Sequence, residues 1–173
     1  MKIDKLRDGL KRIANGDYVL EGDLISEDTI EIELDDRLVV RGKIIAKKSI
    51  FARCGIEAGC GIKAGWGIKA GCGIKAGCGI EAGYGIEAGW GIKAGCGIKA
   101  GCGIEAGWCI EAGWCIDAKK SIAAGNRIFA GISTGCTSED CEKYIKCEEL
   151  RSGEVCYGDL ILEKPEDPGG NER

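Results

Sequence analysis

The chain has twelve cysteines and no histidine. Thiol chemistry is therefore the first candidate, and imidazole chemistry is excluded. Without His, the usual general base and the commonest nitrogen ligand for zinc are both missing. Cys54, Cys60, Cys72, Cys78, Cys96 and Cys102 share one position of a six-residue repeat. If three repeats make one coil, Cys60, Cys78 and Cys96 stack in a column and Cys54 stands over Cys72. Thiolates in such columns suit a soft metal ion. Yet there is no Cys-x-x-Cys pair, and stacked neighbours are expected to sit slightly wider than a relaxed disulfide allows. A buried Cys behaves as a small hydrophobe. Packed free thiols are the expectation, with no metal and no cofactor.

Cys136, Cys141, Cys147 and Cys156 form a looser group. Four thiols suit zinc, but their spacing does not resemble a knuckle. Thr137 to about Leu150 reads as a helix with an N-terminal Thr-Ser-Glu-Asp start, on which Cys141 and Cys147 face different ways. The repeated Gly-x-Gly is a corner device rather than a phosphate cradle, since no strand-to-helix context surrounds it. No nucleophile–base pair is evident, and an enzyme is not expected.

These residues must be held by the repeat. Fifteen consecutive hexads run from Ile44/Ala46 to Ile128/Ala130, settling to Ile-x-Ala-Gly-x-Gly. Ile and Ala share a face because strand side chains alternate. The residue between them points to solvent. The core isoleucines are then Ile56, Ile62, Ile68, Ile74, Ile80, Ile86, Ile92, Ile98, Ile104 and Ile110. Two glycines frame each corner, where unusual dihedrals are expected. A strand of three or four residues must stack on copies of itself. The fold class is all-β, a parallel β-helix with short helical and strand caps. Three hexads per coil give a triangular prism of about 18 residues per turn, and two give a flatter coil. The outward charges favour neither. The triangular form is preferred because its interior has room for Trp.

The position before the second glycine reads Cys54, Cys60, Trp66, Cys72, Cys78, Tyr84, Trp90, Cys96, Cys102, Trp108, Trp114. Its parity matches Ile and Ala, so it is expected inward at a corner, with Cys and aromatics balancing volume. The alternative is an outward ridge, which would be a partner surface.

The ends differ from the repeat. Residues 4–15 read as an amphipathic helix carrying Leu6, Leu10 and Ile13. Tyr18–Leu20 and Thr29–Leu34 read as strands. Leu38 and Val40 keep the Ile/Ala spacing and suit an irregular first turn. Glu154–Leu162 reads as a last strand, and the tail from Pro165 as loose. The organisation is 1–37 as an N-terminal cap, 38–134 as the solenoid and 135–173 as a C-terminal cap and tail. Capping would oppose end-to-end growth.

Residues 50–118 hold six acids and six bases, whereas 136–173 hold eleven acids and five bases. A band of nine acids carries the candidate partner surface: Asp17, Glu21, Asp23, Glu27, Asp28, Glu31, Glu33, Asp35 and Asp36. Neutral repeats with acidic flanks do not favour direct nucleic-acid binding. The acidic band admits two readings: a solvated edge whose charges block aggregation, or a docking surface for a basic protein, such as a nucleic-acid-binding one. No apolar run approaches the roughly 18 residues of a membrane span, and no signal-peptide core is present, so a cytoplasmic protein is expected.

The run GKIIAKKSIFARCGIEAGCGIKAG resembles two groups of parallel β-helix proteins. One is the bactofilin-like polymer-forming group. The other is the left-handed hexapeptide-repeat group, best known from acyltransferases. The resemblance covers about residues 38–134 and concerns the fold. The acyltransferases' catalytic His and their relatives' zinc-binding His have no counterpart here. Structured ends depart from the loose tails typical of bactofilins. The leading expectation is a non-catalytic β-helix that binds a macromolecule, for instance a phage or mobile-element inhibitor of a host defence nuclease. A bactofilin-like cytoskeletal polymer or scaffold is the alternative, and a degenerate acyltransferase comes last. A homo-oligomer is compatible with the first two.

Overall fold

The computed structural model describes residues 1–4, 9–131 and 143–163. Its centre is a three-sided parallel β-solenoid in which each hexad from Ile44 to Ala118 contributes one three-residue strand and the last two hexads share the strand Ser121–Ala130. Ile62 pairs with Ile44 and Ile80, Ile68 with Ile50 and Ile86, and Ile74 with Ile56 and Ile92. Each partner is 18 residues away, which settles three hexads per coil. The first face stacks Ile30, Ile50, Ile68, Ile86, Ile104 and Ile122. The second stacks Leu38, Ile56, Ile74, Ile92, Ile110 and Ile128. The third stacks Leu24, Ile44, Ile62, Ile80, Ile98 and Ile116.

The interior follows from the two-residue alternation. Every Ile and Ala of the regular hexads is buried, and the residue between them is mostly exposed. Ten repeat isoleucines, Ile56 through Ile110, are at most 1% exposed. Burying each contributes on the order of 1.5–3 kcal/mol, so the column of isoleucines is the main source of cohesion. Ala lets the three walls approach where Ile does not fill the prism.

Backbone pairing continues around the corners. The N–H of Trp66 donates to the carbonyl of Lys48, and that of Tyr84 to the carbonyl of Trp66, each at 2.9 Å. This explains the first glycine of each hexad. A Cβ on Gly83 would lie 2.0 Å from the Gly65 carbonyl oxygen, so a side chain there would enter the coil below. Unusual dihedrals are not the reason, contrary to expectation. The positive-φ glycines are Gly9, Gly16, Gly22, Gly131, Gly153 and Gly158, all outside the regular hexads. The second glycine is less constrained. A Cβ on Gly85 would lie 3.3 Å from the nearest oxygen, and Cys109, Cys115 and Ser121 occupy that position in the later coils.

The solenoid pairing begins earlier than Leu38. Tyr18, Leu24 and Ile30 pair with Leu38, Ile44 and Ile50, a step of 20 residues. The two extra residues fall between Ile30 and Leu38, where the step is eight instead of six and Leu34 is fully buried. The excess is absorbed at one corner, so the three faces stay in register.

Among the described residues both ends are built from strands, which corrects the expected helices. Lys2–Ile3 pairs with Glu31–Ile32, and Leu10–Arg12 forms an antiparallel pair with Tyr18–Leu20. Leu10 packs on the core while Ile13 is exposed, so they do not share an apolar helical face. Leu6 lies outside the described residues. At the other end, Tyr144–Cys147, Glu149–Tyr157 and Asp159–Leu162 are strands. Ile145 and Cys147 alternate inward in strand fashion. The proposed helix start at 137–140 and the tail from Pro165 lie outside the described residues. The expected last strand is present as two, separated by the turn at Gly158, which has φ of 104°.

Candidate interaction surface at the corner columns and the acidic band

The residue before the second glycine faces outward, which corrects the expectation of burial. Trp66 is 54% exposed, Tyr84 61%, Trp90 69%, Trp108 63% and Trp114 42%. The cysteines at this position are half-buried or exposed. Parity misleads here because the chain bends at the corner, and the strand alternation does not carry through the bend. The interior is already filled by Ile and Ala.

Three columns result, traced by the corner hydrogen bonds. One runs Cys60, Cys78, Cys96, Trp114. A second runs Lys48, Trp66, Tyr84, Cys102, Lys120. The third runs Cys54, Cys72, Trp90, Trp108, Asn126. Aromatics occupy consecutive coils at Trp66/Tyr84 and Trp90/Trp108. Such exposed rings are enriched at the centres of protein interfaces.

Between columns lie the outward Glu/Lys ladders. Lys63–Glu81, Lys69–Glu87, Lys75–Glu57 and Lys93–Glu111 are ion pairs of 3.0, 2.7, 2.8 and 2.6 Å between adjacent coils. Being largely exposed, each contributes little to stability. They neutralise the faces and leave the corners as the apolar features.

The acidic band is real but locally compensated. Asp17 meets Arg37 at 2.6 Å, Asp36 meets Arg12 at 2.9 Å, and Asp28 meets Lys48 at 2.8 Å. Asp23 pairs with Lys43, Glu27 with Lys47, Glu33 with Lys2 and Asp35 with Arg53. The pairing follows from coil spacing, since Lys43, Lys47 and Lys48 stand 20 residues after their acids. Glu21 and Glu31 are exposed, and Glu31 stands beside Phe51 on the first face. Seven of the nine candidate acids are therefore held by bases, so the band presents alternating charge rather than a continuous negative field.

Arg37 is the residue at this end that composition does not reveal. Its guanidinium also reaches Glu57 at 3.0 Å. Its hydrogen bond holds the Asp17 carboxyl below the ordinary range, against an opposing effect of burial. Lys48 similarly lowers Asp28. The informative sequence signal is Arg37 at the start of a coil, opposite an Asp one coil earlier.

The thiols divide by environment. Cys147 is fully buried and Cys156 exposed, so these two do not converge; Cys136 and Cys141 lie outside the described residues. Burial raises the Cys96, Cys109 and Cys147 thiols. Cys54 and Cys72 approach to 3.2 Å between sulfurs, closer than the sequence argument allowed. No group of three or more Cys, Asp or Glu side chains is placed to share a metal ion among the described residues. No helix among them is long and apolar enough to cross a membrane.

This chain matches no protein-family model, no curated protein and no solved structure.

Proposed function

We propose that this chain is a non-catalytic binding protein that takes a protein partner on its corner columns. The observation carrying this reading is the outward exposure of aromatic side chains on the corner columns, above all the consecutive pair Trp90 and Trp108 on one corner and Trp66 and Tyr84 on another. Rigid aromatic side chains supply contact area at low entropic cost. Flanking ion-paired ladders supply a polar rim. The net charge of −4 favours a basic partner through the field of the whole chain, since the acidic band is largely compensated by its own bases.

An inhibitor of a host defence nuclease, carried by a phage or mobile element, is the specific form of this proposal. Its support is the acid surplus together with a scaffold lacking any evident catalytic pair. A pull-down with this chain as bait tests it. Capture of a basic nucleic-acid-handling enzyme, lost in Trp90→Ala/Trp108→Ala, is the expected result. Capture that persists undiminished in that variant refutes the corner columns as the contact.

One observation favours a second reading, a self-assembling scaffold of the bactofilin-like kind. The last strand, Asp159–Leu162, pairs with Tyr144–Cys147 on one side and with no described strand on the other. Its Leu160, Ile161 and Leu162 are 40%, 43% and 57% exposed. An apolar open edge is a template for another strand. Light scattering on a sizing column with negative-stain images, under reducing conditions, separates the two readings. Long filaments support the scaffold, and discrete particles support the binding protein.

A further inference from the structure

Cys54 and Cys72 hold the same corner position in consecutive coils, with the Cys72 N–H donating to the Cys54 carbonyl at 3.2 Å. Their sulfurs are 3.2 Å apart. Adjacent strands are spaced about 4.8 Å apart, inside the Cα separation of about 4.4–6.8 Å that disulfides span. Closing the bond requires the sulfurs to approach to about 2.05 Å, a side-chain rotation with no change of coil spacing. Both thiols are half-buried, yet both line an open groove of about 450 Å³ beside Gly55, Gly73 and Trp90. A small reagent therefore has a path to them.

The Arg37 stem runs alongside, its Cγ lying 3.5 Å from where a Cβ on Gly55 would stand, while its guanidinium is held by Asp17 and Glu57. Exchange therefore rests on the approach of the two sulfurs, with attack by the thiolate form. The Cys72 thiol is pushed up by its hydrogen bond with Cys54 and then by burial.

We propose that Cys54 and Cys72 form a reversible dithiol–disulfide site that reacts with a small-molecule disulfide of the glutathione class and staples two consecutive coils. The Cys54 thiolate attacks one sulfur of the reagent, whose S–S bond breaks and releases one thiol. Cys72 gives its proton to water and attacks the Cys54 sulfur of the mixed disulfide. The Cys54–Cys72 bond forms and the second thiol leaves. The protein dithiol is oxidised by two electrons, and one reagent disulfide is reduced to two thiols.

The test equilibrates the full chain in mixtures of oxidised and reduced glutathione, blocks free thiols by alkylation, and maps tryptic peptides. Ala70–Lys75 and Ala94–Lys99 have the same sequence, so the measurement is made in a Cys96→Ala background. The expected result is a cross-link between Cys54–Lys63 and Ala70–Lys75, reopened by excess reduced glutathione. Cys54→Ser and Cys72→Ser should lose this cross-link and instead carry one glutathione on the remaining thiol. Cys54→Ala repeats the loss should Ser perturb the corner. No cross-link at any ratio, or one that survives Cys54→Ser through Cys60, overturns the proposal. So does a bond that excess reduced glutathione cannot open.

Discussion

At the scale of single residues, the two glycines of each hexad have different duties. Gly83 faces a backbone oxygen at a distance no Cβ can tolerate, whereas a Cβ on Gly85 would meet the Gly103 carbonyl at a tight 3.3 Å that a shift of a few tenths of an ångström relieves. Gly83→Ala must push two coils apart and should cost at least about 1–3 kcal/mol, as overpacking of a rigid site does. Gly85→Ala asks the neighbouring coil to give only slightly and should cost clearly less than Gly83→Ala. Chemical denaturation of the two variants compares them directly. The chain already makes this experiment in part, since Cys109 and Cys115 replace the second glycine.

Asp17 gives a residue-scale pH dependence. Its folded-state carboxyl is lowered by the Arg37 hydrogen bond. A depressed acid contributes stability that is fully present above the unfolded carboxylate range and lost as pH falls through the folded value. Asp17→Asn should therefore be less stable than the parent at neutral pH, with the gap closing in acid below the ordinary Asp range. Urea unfolding at neutral and acidic pH reads this. A gap independent of pH would mean that packing, not the ion pair, holds Asp17.

At the scale of elements, the strands from Tyr18–Leu20 to Ile116–Ala118 are each three residues long and stable only through their neighbours above and below. Ile80 is 1% exposed and stacks between Ile62 and Ile98. Ile80→Ala should lose about 2–5 kcal/mol, as buried Ile truncations do, visible as a lower denaturation midpoint. An exposed ladder position such as Lys99→Ala should change little.

The strands were legible because Ile and Ala recur without interruption from Ile44 to Ile128. The 18-residue register was less so, because charge pairing along the ladders fits a two-sided coil at least as well. The ends were misread for a physical reason. Leu6, Leu10 and Ile13 have helical spacing, but Leu10–Arg12 gains a ladder with Tyr18–Leu20, and tertiary pairing overrides local pattern. The coil before Leu38 was hidden by an eight-residue step and by Leu20, Ser26 and Ile32 in place of Ala. The site was only partly legible. Which residues form the corner columns can be read from the repeat, but their outward direction depends on the bend, which strand parity does not encode.

The whole molecule is a buried Ile/Ala prism with ion-paired faces and aromatic corners. Partner contact is the use proposed for those exposed aromatics. If Trp90 and Trp108 anchor a partner, replacing each with Ala should leave the denaturation midpoint nearly unchanged. Binding should weaken by about 2 kcal/mol or more for a central anchor, which titration calorimetry with the captured partner measures. All four tryptophans, Trp66, Trp90, Trp108 and Trp114, lie on corner columns, so Trp fluorescence reports these columns and nothing else. Collisional quenching by iodide and acrylamide, on a sample shown by light scattering to be monomeric, is therefore the most direct measurement. Outward columns predict red-shifted emission and efficient quenching by both reagents. Blue-shifted emission with little quenching in the monomer would place the tryptophans inside the prism and contradict the proposed binding surface.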